Sequence, residues 1–559
     1  MRKSIRFLSL GLVLGLAVRL MAGDPPMIQV DLPDIAATMR RMESGLPARI
    51  WNDPTMAPWR KEAERAIHYM NSAMEFDGFS PLRMARAAQI RVDRFGTTAA
   101  QVPDVGGHAW LIHGATVAAM WAPIGRLLKR DGTQIAINGL LTAYDLPCQP
   151  IPVILGRSED ALLALVGGAN MPTRTRNPAG ADDLVIRLGD LAGLIRGFIE
   201  LDQAASLRRL RWMNPEQQQH GDIAARQQHR TRALLARLDE LRRAATDAFA
   251  PITLAVRVMP DGFRERWSQV ARGPASGKGA DRALIRRLPD STLMVVAAHV
   301  DGGAFWQDYG PALLQVPGMF DQAFVVRTPE QIAAMIDAEL AELGVMHGLA
   351  HLLGSVRGTI VVALTHDAPS PAVTVAVPRS AALDQALSVL LQRSGYPPLP
   401  PAGQARSLTI PGFPLPMAVG GDAGHLLVSS DPAIVDRWIS GTTGTLLDSV
   451  AAKRAAAYAP ADATLFGFSD TPAVLRVLSG GIPMIGWPEL AEPGIQRLVM
   501  RLAEVVATGW VWGGISGGER VLETQNCSAW STGCASTLLW QAAIRIMPWQ
   551  SYGRAPPPR

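Results

Sequence analysis

Leu184-Val185-Ile186-Arg187-Leu188-Gly189-Asp190 and Thr464-Leu465-Phe466-Gly467-Phe468-Ser469-Asp470 read as one motif written twice: a short apolar run, a small residue and an aspartate. The run has the composition of a strand. The aspartate can accept a backbone N–H at the start of the apolar helix that follows in both places, where Arg196 and Arg476 fall in step. Three more matches keep the same order along the chain. Val30-Asp31-Leu32-Pro33 pairs with Val300-Asp301-Gly302-Gly303, and 152–156 pairs with 416–420. The hairpin 252–258, turning at Pro260-Asp261-Gly262, pairs with 510–515, turning at Gly517-Gly518. Taken along the chain, the four offsets are 270, 264, 280 and 256. Ordered recurrence at a nearly fixed period of roughly 265 residues predicts a tandem duplication.

Each unit predicts strands, hairpins and helices in the same succession. Around 223–249, Leu234, Leu238, Leu241 and Ala245 share one stripe at helical spacing, and 495–506 is the counterpart. Segments 359–365 and 372–377 alternate about a Pro-rich turn at 367–371, a hairpin signal, and a helix over 381–393 follows. Hairpins with interspersed helices predict antiparallel sheet covered by helices, so the fold class is α+β. The expected division is a signal at 1–23, a first unit at 24–272, a linker at 273–281, a second unit at 282–553 and a disordered tail at 554–559. A second loose stretch is expected at 395–404, which carries four prolines.

The first residues predict export. Arg2, Lys3 and Arg6 precede an apolar run at 7–18, and Ala22 or Gly23 offers a small residue for cleavage. That run is too short to span a bilayer comfortably, and no later apolar run reaches spanning length. The expected address is the periplasm or the extracellular space, with a retained N-terminal anchor as the alternative. A net charge of +5 on 559 residues gives no reason to expect a nucleic-acid partner unless the charge gathers on one face. Of three cysteines, Cys527 and Cys534 stand seven apart, which suits either a small-loop disulfide or two separate thiols; Cys148 is left over.

Leu46-Pro47-Ala48-Arg49-Ile50-Trp51-Asn52-Asp53-Pro54 resembles a segment of large exported bacterial proteins of unknown function. Leu288-Pro289-Asp290-Ser291-Thr292-Leu293 and Pro460-Ala461-Asp462-Ala463-Thr464-Leu465 are similar to their repeat openings. The resemblance implies an envelope protein without assigned catalytic residues.

Several motifs touch on chemistry. His347 and His351 stand at i and i+4 in an expected helix over 329–353, a spacing that can hold zinc. A zinc-protease helix also needs Glu after the first His, and Gly348 stands there; Glu339 or Glu342 are open choices for a third ligand. Ser516 in Gly514-Ile515-Ser516-Gly517-Gly518 has the letters of a hydrolase elbow, but a strand is expected after it where the elbow needs a helix. Gly273-Pro274-Ala275-Ser276-Gly277-Lys278 is one residue short of a phosphate loop and reads as a connector. The basic stretch 208–243 reads as a solvated helical face, and Trp51, Trp59, Trp110, Trp121 and Trp212 read as packing residues or a carbohydrate surface.

These readings predict no cofactor and a non-catalytic binding or structural module with a broad sheet surface, its partner an envelope protein or polymer. The rival expectation is an extracytoplasmic metal-dependent hydrolase using His347 and His351.

Overall fold

A computed structural model describes residues 27–54, 85–98, 103–146, 152–167, 182–212, 221–244, 249–270, 278–314, 327–366, 371–409, 417–479 and 493–526, together with 57, 61 and 65. The strands of the N-terminal half are β1 (Ile28–Leu32), β2 (Ala87–Thr97), β3 (Pro103–Ile112), β4 (Thr133–Ile135), β5 (Thr142–Leu146), β6 (Val153–Arg157), β7 (Ala161–Val166), β8 (Leu184–Leu188), β9 (Ile252–Met259) and β10 (Gly262–Val270). Those of the C-terminal half are β11 (Thr292–Asp301), β12 (Arg357–Thr365), β13 (Ala372–Pro378), β14 (Gln404–Leu408), β15 (Met417–Gly421), β16 (His425–Ser429), β17 (Leu465–Ser469), β18 (Gly509–Ser516) and β19 (Glu519–Gln525).

Mixed helix and antiparallel sheet make this an α+β protein. The 19 strands found among the described residues join in one sheet. The pairings give the order β4-β5-β6-β7-β3-β2-β1-β8-β9-β10-β19-β18-β17-β11-β12-β13-β16-β15-β14. Outward from the central β10–β19 pair, β9, β8, β1, β2, β3, β7, β6 and β5 on one side answer β18, β17, β11, β12, β13, β16, β15 and β14 on the other. β4 is an addition at one edge. The four segment pairs matched in sequence lie on β1 and β11, β6 and β15, β8 and β17, and the hairpins β9–β10 and β18–β19.

Residues directly opposed on neighbouring strands point to the same face. One such row crosses most of the sheet: Leu163, Trp110, Gln89, Asp31, Val185, Ala255, Arg266, Glu523, Trp512, Phe466, Ala297, Val361, Ala376, Leu427. Its centre is the Arg266–Glu523 pair. The face carrying this row is called face I, and the other face II.

The helices are α1 (Ile35–Ser44), α2 (Leu46–Trp51), α3 (Val117–Asp131), α4 (Leu191–Trp212) and α5 (Gly221–Ala244) in the first half. The second half has α6 (Gly302–Leu313), α7 (Pro329–Glu342), α8 (Leu349–Gly354), α9 (Ala381–Arg393), α10 (Pro432–Ile439), α11 (Val450–Tyr458), α12 (Thr471–Ser479) and α13 (Pro493–Val505). On face II, α4 packs its Leu194 and Leu201 against Ile28, Val92 and Phe95. Gly197 lets it approach, since a Cβ there would lie 2.1 Å from the Phe95 carbonyl oxygen. α9 covers Val377, Val419 and Leu426 on the same face of the other half through Leu387 and Leu391. Across the junction α5 meets α6, and α13 meets α2.

Face I is treated differently in the two halves. In the C-terminal half α10 and α11 cover it. Val435, Trp438, Ala452 and Ala455 from these helices form one core with Val295, Ala297, Val361, Ala363, Phe466, Phe468, Trp510 and Trp512 from the strands. At about 1.5–3 kcal/mol for each large apolar side chain removed from water, this is a major source of stability for that half. The connection carrying these helices runs from 430 to 464, whereas the matching β7–β8 connection runs from 167 to 183.

Three local expectations need correction. Asp31 does not cap a helix. Its side chain lies within the sheet face, and Asp34 caps α1 by accepting from the Ala37 amide at 2.8 Å. Asp190, Asp301 and Asp470 do cap, accepting from Gly193, Gly303 and Ala473. The row register sets Asp31 opposite Val185 as Ala297 is set opposite Phe466, so the sequence match of Asp31 with Asp301 is out of step, and the match of 184–188 with 464–468 is out by one residue, Arg187 answering Phe468 and not Gly467. The helix expected over 329–353 is two helices. Gly344, at φ +86°, ends α7. The Gly344 amide donates to the Ala341 carbonyl and the Val345 amide to the Leu340 carbonyl, the two bonds of a Schellman stop. Finally, the stretch 395–404, expected to be loose, is held in place: Arg379 and Arg406 donate to the carbonyls of Pro400 and Pro398.

Candidate functional site

Where the second half lays apolar residues under helices, the middle of face I in the first half, over β8, β1, β2 and the start of the β3 row, carries polar residues, while Trp110, Leu163 and Leu165 keep its outer part apolar. The row Thr253, Arg187, Gln29, Arg91, His108 occupies the places held by Trp510, Phe468, Val295, Ala363 and Thr374. In the neighbouring row Asp31 and Gln89 stand for Ala297 and Val361. Asp31 is fully buried. Its carboxylate accepts from Gln29 and Gln89, each at 2.8 Å, and from Arg187. Arg91 donates to Asp93 at 3.1 Å, and His108 Nδ1 lies 3.6 Å from the same carboxylate. His108 is buried, and its Nε2 has no hydrogen-bond partner among the described residues. Burial alone would raise the Asp93 pKa. Hydrogen bonds from His108 and Arg91 outweigh it and hold the carboxyl below its ordinary value.

Towards the junction the face becomes more basic. Arg264 pairs with the buried Glu523 and lies over the rings of Tyr458 and Trp510, at 5.0 and 5.6 Å. Arg266 approaches the same carboxylate at 3.9 Å. Arg257, exposed, stands directly across the hairpin from Arg264. Directly opposed like charges are unfavourable unless a counter-charge reaches them.

A second feature lies at the strand ends of the other half. A cavity of about 550 Å³ opens on face I between β11, β12, β13 and β16. Lys278, Arg357, His299 and His425 are among the residues that line it, and Asp281, Thr359, Leu284 and Pro378 complete much of its wall. The Thr359 hydroxyl accepts the Asp281 amide at 2.8 Å, and the Asp281 carboxylate accepts from Ala283. His425 stands against the edge of Trp438, with ring centroids 5.8 Å apart. Its pKa is lowered, chiefly by burial, against the pull of Asp422 and a bond to the Thr359 backbone.

No family model, curated protein or solved structure matches this chain.

The residues singled out from sequence are scattered. His347 lies between α7 and α8 and His351 within α8; their rings stack with centroids 4.3 Å apart and 23° between planes. Among the described residues no group of three or more His, Cys, Asp or Glu stands in a metal-holding arrangement, and neither Glu339 nor Glu342 completes one. Ser516 ends β18, and Gly517 and Gly518, at φ +60° and +81°, turn the chain directly into β19. Cys148, Cys527, Cys534 and Trp59 lie outside the described residues. Trp110 and Trp121 are buried and so offer no sugar-stacking surface. Lys278, read as part of a connector, borders the cavity. Sequence reasoning missed Asp31, Arg91, His108, Arg187, His299, Arg357 and His425 as a set. For Asp31, Arg91 and Arg187 the available signal was polar residues in one half at places where the other half has apolar ones.

The cavity wall carries a pH expectation. A histidine with a lowered folded pKa contributes stability that is present above its unfolded value of 6.5 and lost as pH falls through the folded value. Asp422 beside it is also lowered. Burial acts against that shift, and bonds from Arg287, Gly424 and His425 overcome it, so its contribution is present above 3.8 and lost at lower pH. Urea midpoints measured from pH 7 to pH 3 should fall in two stages, and His425→Phe should remove the first. A flat profile between pH 7 and pH 5 would contradict this.

Proposed function

We propose that the protein is a non-catalytic binding module of the cell envelope, exported to the periplasm or beyond and built as two tandem copies of one α+β unit. In this reading the copies have diverged in use. The second copy closes face I with its own helices and serves as the structural half. The first copy keeps the middle of face I polar, to receive an acidic polypeptide segment.

The observation that carries this is the replacement of Phe468, Val295 and Ala363 by Arg187, Gln29 and Arg91 at matching places in the rows. Charge complementarity names the occupant. Arg91, Arg187, Arg257, Arg264 and Arg266 outnumber the carboxylates they meet, Asp31, Asp93 and Glu523. Guanidinium forks suit carboxylates, which they can engage with two parallel hydrogen bonds. Export is supported by Arg2, Lys3 and Arg6 ahead of the apolar run 7–18. The duplication is supported by the common strand order outward from β10–β19. No described helix is long and apolar enough to cross a membrane.

Fluorescence titration with labelled poly-L-glutamate tests the reading. Saturable binding that weakens with salt is expected. The double variant Arg91→Glu with Arg257→Glu should lower affinity at least tenfold while its circular dichroism spectrum stays that of the folded protein. Equal binding by the variant would sink the reading. Tighter binding of an anionic glycan than of polyglutamate would replace the polypeptide by a polymer.

A further inference from the structure

We propose that the cavity between β11, β12, β13 and β16 is a second binding site, for a small organic molecule held by a phosphoryl group. This goes beyond the acidic partner of the first half and uses different residues.

The chemistry of the wall selects the ligand. Lys278, Arg357 and His299 line the cavity, and Arg357 also lies 3.7 Å from the Asp301 carboxylate just outside the wall. The one acidic wall residue, Asp281, has a carboxylate oxygen engaged by the Ala283 amide. Thr359 is buried and accepts the Asp281 amide, so its single hydroxyl proton is left to donate. Ammonium, guanidinium and hydroxyl donors together match a group with several acceptor oxygens and more than one negative charge. A free phosphate would fill only part of about 550 Å³. Volumes in this range suit small organic ligands. Leu284 and Pro378 supply apolar wall for the body of the molecule. His425 is held in place by Asp422, the Thr359 backbone and Trp438, so it forms a fixed part of the floor.

The phosphoryl group could belong to an ester or arrive as free phosphate, and the two are separable. Isothermal titration of the full chain with glucose 6-phosphate, inorganic phosphate and glucose provides the arms. One site per chain is expected for the ester, with at least tenfold weaker binding of inorganic phosphate and none of glucose. Arg357→Ala and Lys278→Ala should each weaken the ester at least tenfold without moving the ligand-free melting temperature. Arg91→Glu with Arg257→Glu should leave it unchanged. Absence of binding by both phosphates, or binding that neither cavity variant affects, would overturn the site. Inorganic phosphate binding as tightly as the ester would overturn the role given to the organic body.

Discussion

Trp438→Ala should lower the unfolding free energy by about 3–5 kcal/mol, the range for removing a large buried aromatic. Trp438 is fully buried on α10 and belongs to the core that joins the α10–α11 cap to strands β11, β12, β17 and β18. Its neighbours come from both helices and strands, so they cannot close over the space without moving the cap, and a cavity remains. The Arg287 guanidinium lying 5.3 Å from its ring centroid would also lose its platform. Urea unfolding followed by circular dichroism measures the loss. A change below about 1 kcal/mol would mean that the helices do not close face I of this half.

The second large effect is one of non-additivity. Asp31→Ala is expected to cost about 2–3 kcal/mol, since it removes a buried carboxylate that accepts from Gln29, Gln89 and Arg187. Arg187 adds less than a fully buried partner would, because its side chain keeps 37% exposure and water can replace the carboxylate. Gln89→Val alone is also expected to destabilise, by taking a donor from Asp31. The pair Asp31→Ala with Gln89→Val writes the second half's Ala297 and Val361 into the first. It should cost less than the sum of the single changes by about 1–2 kcal/mol, as happens when both members of a buried polar pair are removed together. A double-mutant cycle in urea checks this. Strict additivity would mean that the two side chains are not coupled across β1 and β2.

The fold was largely legible because its strands announce themselves. Segments 359–365 and 372–377 alternate, and β12 and β13 occupy them with small extensions. Helix 381–393 coincides with α9, whose cap Ser380 accepts from the Leu383 amide. The segment matches land on strands with corresponding places in the sheet because capping aspartates and Gly-containing turns recur where strands meet helices and hairpins. What could not be read was how the halves meet. Nothing in the sequence of β10 or β19 shows that these two edges pair with each other. Arg264, Arg266 and Glu523 read as ordinary strand polar residues until the pairing sets them together.

The candidate sites were less legible for a related reason. Arg187 looks like a lapse in an apolar strand until Gln29 and Arg91 are found beside it on β1 and β2, far away in the chain. The histidines at i and i+4 drew attention because local spacing is visible in sequence. His299 and His425, brought to one cavity by strands distant in the chain, leave no local pattern.

The central claim is that the two halves continue into one another edge to edge at β10 and β19. Ser268 and Val521 are directly opposed across that junction. Opposed residues in antiparallel strands have Cα atoms about 4.5–5.5 Å apart, within reach of a disulfide. With the 3 native cysteines replaced by serine, Ser268→Cys with Val521→Cys should cross-link almost completely on mild oxidation, giving one linked peptide in a non-reducing digest. Two thiols that stay free to alkylation in the folded protein would contradict the junction, and with it the reading of the rows on either side.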